Sequence, residues 1–264
     1  MIKPIFDPKQ KKRSMRVAAF MSGTGTNVQK LIEYQQQLIK RQGKSPFEVI
    51  LIFSDRSDGT CMGEKIAYKY TIPYFSYDIK AFYRKHGIKF SIATKEGMNL
   101  RKRFDETVKK IIKAFDIDIV ALGGYMSYTT IKRCVNVHPA DLSIKTQDGR
   151  RKYTGISAIR DAILAGEQFL RSSTILTDEG IDTGPILMVS KPIPVKVHIP
   201  FKELKKDEIL IEQVVQEHQE RLKKQGDWYI FPRTIELIAR GLFSLDEQNR
   251  VYFKGEYIPD GYRE

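Results

Sequence analysis

The apolar run Arg16–Phe20 leads into Ser22-Gly23-Thr24-Gly25-Thr26-Asn27, and the helix-like stretch Val28–Lys40 follows it. A strand that turns through glycines into a helix commits a chain to α/β architecture, because the helix must pack back on the strand that feeds it. The pattern then repeats. Phe47–Phe53 is continuously apolar, as a strand covered on both faces of a parallel sheet requires. Cys61–Lys69 reads as the returning helix and Ile72–Tyr77 as a third strand. Phe104–Phe115 carries apolar residues at 104, 108, 111, 112 and 115, a helical stripe. Ile117–Leu122 and Arg133–Val137 are further strands, and Gly155–Ala165 a further helix. The expected fold is α/β, a three-layer doubly wound, mostly parallel sheet with a Rossmann-type N-terminal half and ligands at the strand C-termini. Residues 80–100 show no clean period and predict a long loop or lid.

Beyond residue 165 the pattern changes. Ser172–Leu176 and Ile186–Val195 are strand-like, Glu203–Lys224 and Thr234–Arg240 helix-like, and Val251–Tyr257 predicts a hairpin around Lys254-Gly255. No linker composition intervenes, so the expected organisation is a basic extension over 1–14 followed by one catalytic domain over 15–264.

Charge narrows the partners. The chain has 264 residues and a formal net charge of +13. Residues 1–16 carry +5 and residues 80–103 carry +7, so nearly all the excess sits in an expected arm and loop. A nucleic-acid groove more often spreads such charge along a folded face. The segments read instead as solvated, or as attracting an anionic small molecule. The longest apolar runs, Val49–Phe53 and Ile117–Leu122, are strand length, which argues against a membrane span. The basic, polar first 16 residues do not resemble a signal peptide. Cys61 and Cys134 are too few for a disulfide scaffold or zinc cluster. The expectation is a cytoplasmic monomer or homodimer acting on small molecules, with no metal, no membrane and no nucleic-acid partner.

Three segments carry chemistry. In Ser22–Asn27 the glycines admit close backbone approach, and the start of the helix offers unpaired N–H groups to an anion. A phosphate monoester, a dinucleotide and a purely structural turn all remain open there; Val28 stands where a dinucleotide fingerprint has Gly or Ala. In Asn136-Val137-His138-Pro139, at the end of the fifth strand, alternation puts Asn136 and His138 on one face. An amide and an imidazole together can bind an oxyanion and handle a proton. A strand-end histidine satisfied by backbone is the alternative. In Asp178-Glu179-Gly180-Ile181-Asp182-Thr183-Gly184-Pro185, Asp182 could pair with His138 and hold its tautomer, or the segment is only an acidic turn.

In this order, SGTGTN, NVHP and DEGIDTGP resemble the motifs of the folate-dependent formyltransferase superfamily, closest to its glycinamide ribonucleotide transformylase branch. The resemblance runs from about Met15 to the end of the chain. Leu122–Thr129 (LGGYMSYT) is similar to the family's folate-binding segment, Gly155–Gly166 to the helix after its catalytic strand, and Ile238–Tyr262 to its ending. The resemblance implies Asn136, His138 and Asp182 as the catalytic trio. It implies Gly25, Thr26 and Asn27 as holders of a substrate phosphate, and Met126, Ser127, Tyr128 and Thr129 as the pterin-pocket lining. It implies 10-formyltetrahydrofolate as co-substrate and glycinamide ribonucleotide as acceptor amine, with an amino sugar or aminoacyl-tRNA as alternatives. A catalytically idle RNA- or nucleotide-binding protein is the rival from another class; it would use the basic segments, and the presence of the whole trio counts against it.

Several positions depart from the family pattern. Ala140-Asp141-Leu142-Ser143-Ile144 replaces the family's Ser-Leu-Leu-Pro, and the charged Lys145–Tyr153 follows where the family has a shorter run. Ser127 replaces an arginine. Residues 80–100 are an insertion, although Arg101-Lys102-Arg103-Phe104-Asp105 keeps the family's Arg-x-x-aromatic-Asp and makes Arg101 a candidate substrate contact. The basic and acidic substrate contacts near the C-terminal helix fall on Lys224 and Asp227, with Glu217-His218 as the alternative placement.

Overall fold

The computed structural model describes residues 1–197 and 199–264, with the backbone alone at Phe201 and Lys202. The chain forms two compact units, one of Phe6–Asn136 with Ile238–Gly241, the other of Val137–Leu237 and Leu242–Glu264 with Met1–Ile5.

The first unit alternates strand and helix: β1 (Met15–Met21), α1 (Thr26–Gln42), β2 (Phe47–Ser54), α2 (Gly63–Tyr70), β3 (Tyr74–Ser76), α3 (Ile79–Lys85), α4 (Lys95–Ala114), β4 (Ile119–Leu122) and β5 (Cys134–His138), within which the unit ends. The hydrogen-bonded order is β5-β4-β1-β2-β3, every pair parallel. Ala18, Phe20, Leu51, Phe53, Val120 and Leu122 pack from the sheet against Tyr83, Leu100, Phe104 and Val108 of α3 and α4. Each large side chain buried this way contributes roughly 1.5–3 kcal/mol.

Residues 80–100 are not a long loop. Asp78 caps α3 by accepting from the Ala81 N–H (2.5 Å), and Thr94 caps α4 by accepting from the Gly97 N–H (3.0 Å). Ile79 and Tyr83 bury one face of α3, and Leu100, Phe104 and Val108 bury one face of α4 at four-residue spacing. Only about the stretch 86–94 joins the two helices. Two short amphipathic segments with a break between them have no common period, and their lysines lie on the outer faces.

The basic extension is likewise structured. Asp7 caps a short helix, Pro8–Lys11, and Arg13 pairs with Asp116 (2.8 Å) and Asp118 (2.5 Å). Arg101 is fully buried. Its guanidinium forks onto Asp105, reaches the Tyr125 hydroxyl at 3.2 Å and lies 4.9 Å from the centre of the Phe104 ring. Asp105 accepts in addition from the Thr130 N–H (2.6 Å) and Thr130 Oγ1 (2.8 Å). The expected substrate contact from Arg101 is therefore replaced by an internal one. Asp105→Ala leaves a buried guanidinium uncompensated and should cost about 3–5 kcal/mol of stability, read from the denaturant midpoint. A loss below 1 kcal/mol would show that the cluster is not structural.

The second unit contains α5 (Ala158–Leu164), β6 (Ser173–Leu176), β7 (Ile186–Val189), α6 (Glu208–Leu222), a π-helical turn (Lys223–Asp227), α7 (Trp228–Ala239, whose last residues belong to the first unit), β8 (Phe243–Leu245), β9 (Val251–Phe253), β10 (Glu256–Tyr257) and β11 (Tyr262–Arg263). β6 and β7 are antiparallel, and β11 adds parallel to β7. Strand Lys3–Pro4 with β8, β9 and β10 makes a small antiparallel sheet. The hairpin expected at Lys254-Gly255 is present, both residues having positive φ (51° and 89°) as a type I′ turn requires. The strand expected over Ile186–Val195 breaks at the residues before Ile193, which instead pairs with Leu170. Pro192 and Pro194 have no N–H for a continuing ladder. The expected helix Glu203–Lys224 is also divided: Asp207 caps α6 by accepting from the Leu210 N–H (3.1 Å), so the helix starts at Glu208. The fold is α/β with a large, mostly parallel sheet, as the alternation implied.

Candidate active site

The glycine turn between β1 and α1 is built for close backbone approach. Gly25 sits at the N-cap of α1 in the left-handed region (φ 68°), and a Cβ there would come within 2.3 Å of the Met21 Cε. No side chain caps the helix, which leaves its first N–H groups available to an anion. Behind the turn, Ser22 Oγ donates to buried Asp55 (2.7 Å) and accepts from the Met126 N–H (2.9 Å), and Ser127 Oγ also donates to Asp55. The segment Met126–Thr129 is thereby fastened to the glycine turn. Met126 is exposed and Thr129 buried, its hydroxyl accepting from the Ile131 N–H (3.2 Å). The serine that replaces the family's arginine at 127 has a defined partner. Asp55 has the role of a buried acceptor for two hydroxyls.

In the second unit, His138 ends β5 and is buried. Its Nδ1 lies 3.3 Å from Asp182 Oδ2, and its Nε2 3.3 Å from the Tyr153 carbonyl oxygen. Each ring nitrogen faces an acceptor. Burial lowers the imidazole pKa from its ordinary value and Arg151 adds to the fall, while Asp182 and the Tyr153 carbonyl oppose it; the net direction is down. The resting ring is neutral near pH 7, in contrast to the charged form that a carboxylate partner alone would favour. Asp182 also accepts from the Gly155 N–H (2.9 Å).

The turn that carries Asp182 is tightly folded. Asp182 itself has φ 55°, Asp178 accepts from the Gly180 N–H (3.0 Å) and the Thr183 hydroxyl (2.6 Å), and a Cβ at Gly184 would come within 1.7 Å of the Leu176 carbonyl oxygen. This glycine is required by contact. Asn136, two residues before His138 on β5, shares its face of the strand and is half-buried.

The remaining candidates divide. His218 is buried in α6, with Nδ1 donating to the Val214 carbonyl (2.7 Å) and Nε2 accepting from the Lys196 N–H (2.9 Å). That is a core histidine with both nitrogens satisfied. Lys224 is exposed on the π-helical turn, and Asp227 is buried, accepting from Ser172 Oγ at 2.5 Å. No described helix is long and apolar enough to cross a membrane.

Residues 15–207 match the family described as Formyl transferase. The chain is 25% identical over 261 residues to phosphoribosylglycinamide formyltransferase of Haemophilus influenzae, covering 94% of this chain and 98% of that one. It is 27% identical over 236 residues to the trifunctional purine biosynthetic protein adenosine-3 of Drosophila melanogaster, covering 87% of this chain but only 14% of that much longer protein. Among solved structures, a phosphoribosylglycinamide formyltransferase from Coxiella burnetii superposes with a TM-score of 0.65 at 21% identity, over 95% of this chain and 99% of that one. At that identity the superposition speaks for the fold.

Proposed function

The chain belongs to the formyl transferase family, and from that premise we propose that it transfers the formyl group of 10-formyltetrahydrofolate to the primary amine of glycinamide ribonucleotide, a step of purine synthesis. The observation that carries the reading is the 3.3 Å contact between buried His138, on the strand that also bears Asn136, and half-buried Asp182 on the acidic turn.

The acceptor amine attacks the formyl carbon, and the carbonyl oxygen gains negative charge as the carbon becomes tetrahedral. The Asn136 amide donates a hydrogen bond to that oxygen; one such donor lowers the barrier by about 3–4 kcal/mol. Neutral His138, with its Nδ1–H toward Asp182, takes the proton of the attacking amine at Nε2, which turns from the Tyr153 carbonyl, and Asp182 stabilises the imidazolium that forms. Collapse of the intermediate breaks the bond from carbon to the folate N10, and the proton passes to that nitrogen, directly or through one water. Gly25, Thr26 and Asn27 hold the acceptor phosphate at the start of α1. Met126, Ser127, Tyr128 and Thr129 line the pterin site, with Lys224 and Asp227 as contacts to the acceptor.

The test is a panel of amines incubated with 10-formyltetrahydrofolate while folate absorbance is followed. Glycinamide ribonucleotide should be formylated far faster than an amino-sugar nucleotide or methionyl-tRNA. Preference for either of those would overturn the choice of acceptor, and no turnover with any amine the reaction itself. Asn27→Ala should raise the KM for the phosphorylated acceptor about 10–100-fold, the worth of one charge-assisted hydrogen bond, and leave the folate KM within about threefold. Equal rises in both would mean that the turn had been disrupted as a whole.

A further inference from the structure

The charged run Lys145–Tyr153 has an order of its own. Lys145 and Arg151 form an antiparallel bridge, the Lys152 N–H donates to the Ile144 carbonyl (2.9 Å), and the Thr146 N–H to the Arg150 carbonyl (2.8 Å). This small ribbon delivers one side chain inward. Arg151 is half-buried, and its two terminal nitrogens donate to the carbonyl oxygens of Asp182 and Gly184, the second at 2.7 Å. A planar guanidinium can grip two carbonyls of one turn at once, whereas a lysine ammonium is a single point of contact. The gripped turn needs holding: Asp182 is a non-glycine residue in the left-handed region, and Gly184 has no room for a side chain. The Asp182 carboxylate is fixed from the other side by the Gly155 N–H at 2.9 Å, just past the same ribbon.

We propose that Arg151 is a positioning residue for the reaction. By clamping the backbone of Asp182 and Gly184, it holds the Asp182 carboxylate against His138, so the ribbon 145–153 supplies a support to the acid–base pair. This rests on the functional reading above. It adds a residue that holds the pair in place through another residue's backbone, besides the charge it already exerts on His138.

Displacing a catalytic group by about an ångström costs on the order of 100-fold in rate. Arg151→Ala should therefore lower kcat about 10–100-fold while both KM values stay within about threefold. Arg151→Lys should recover part of the loss, because one carbonyl can still be bound. Hydrogen exchange at the Gly155 amide, which reports whether the Asp182 carboxylate is in place, should be at least about tenfold faster in Arg151→Ala than in the parent. Three results would overturn the proposal: kcat within twofold of the parent, a loss shared equally by kcat and both KM values, or unchanged Gly155 exchange. If Arg151→Ala does not fold, Arg151→Lys carries the test, with a smaller drop in kcat and a smaller gain in exchange expected; parental values for both overturn the proposal. If the parent formylates no amine, the functional reading fails, and Gly155 exchange still decides whether Arg151 positions Asp182.

Discussion

His138→Ala lowers kcat for formyl transfer by roughly 100- to 10,000-fold, the range for loss of a positioned acid–base group. The ring is buried at the end of β5, and each of its nitrogens faces a single acceptor, Asp182 or the Tyr153 carbonyl. A buried histidine of this kind would be merely structural if it lacked a carboxylate partner, as His218 does, held by the Val214 carbonyl, the Lys196 N–H and Arg221. The difference is the carboxylate. Asp182 keeps the Gly155 N–H when the ring is removed, so it is not left without a partner, and the variant should stay folded. Steady-state kinetics with a parallel thermal melt measures both halves of the claim. A kcat within tenfold of the parent, on protein that melts normally, would remove His138 from the mechanism.

Much of the first unit is legible from hydrophobic pattern, because a parallel sheet covered on both faces writes its strands as continuous apolar runs such as Phe47–Phe53. The candidate pair His138 and Asp182 is legible for another reason: Asn136 and His138 follow strand alternation, and a glycine-bounded acidic turn is a distinctive string of residues. Charge obscures the helices within residues 80–100, whereas the stripe over Phe104–Phe115 is legible. Eight basic residues over 80–103 suggest a solvated loop, yet Asp78 and Thr94 are each in position to cap a helix, and Leu100, Phe104 and Val108 recur at helical spacing. The two caps mark where each helix begins.

Other features could not be read from local sequence at all. Arg101 resembles a surface cation until its partner Asp105, one turn later, is seen with Tyr125 and Thr130 gathered around the pair from outside the helix. The clamp from Arg151 is of the same kind. Its acceptors are two backbone carbonyls about thirty positions away, and a carbonyl leaves no trace in residue identity. A carboxylate beside His138 would by itself favour the charged ring. Burial, which depends on the packed fold, tips the balance the other way.

Asp182→Asn separates the two contributions to His138 and should lower kcat by about 100- to 10,000-fold. The amide occupies the same space and can still accept from the Gly155 N–H, so the turn is kept, but the negative charge is gone. In the parent, burial and Arg151 destabilise the imidazolium while Asp182 stabilises it, and the ring pKa lies below the ordinary 6.5. Removing the one stabilising charge must therefore move the pKa further down. The sign matters, because loss of an acidic neighbour here makes the histidine a weaker base. The proton of the attacking amine then has a poorer acceptor, and the imidazolium formed on the way to products has no counter-charge. Both effects reduce kcat; neither needs a change in binding, so the KM values should hold within a few-fold. The His138 ring titration, followed by NMR and assigned by its disappearance in His138→Ala, gives the pKa directly and without reference to turnover. It should read below 6.5 in the parent and lower still in Asp182→Asn. An upward displacement in the variant would mean that Asp182 acts on His138 chiefly by excluding water, and the acid–base roles assigned above would have to be exchanged for others.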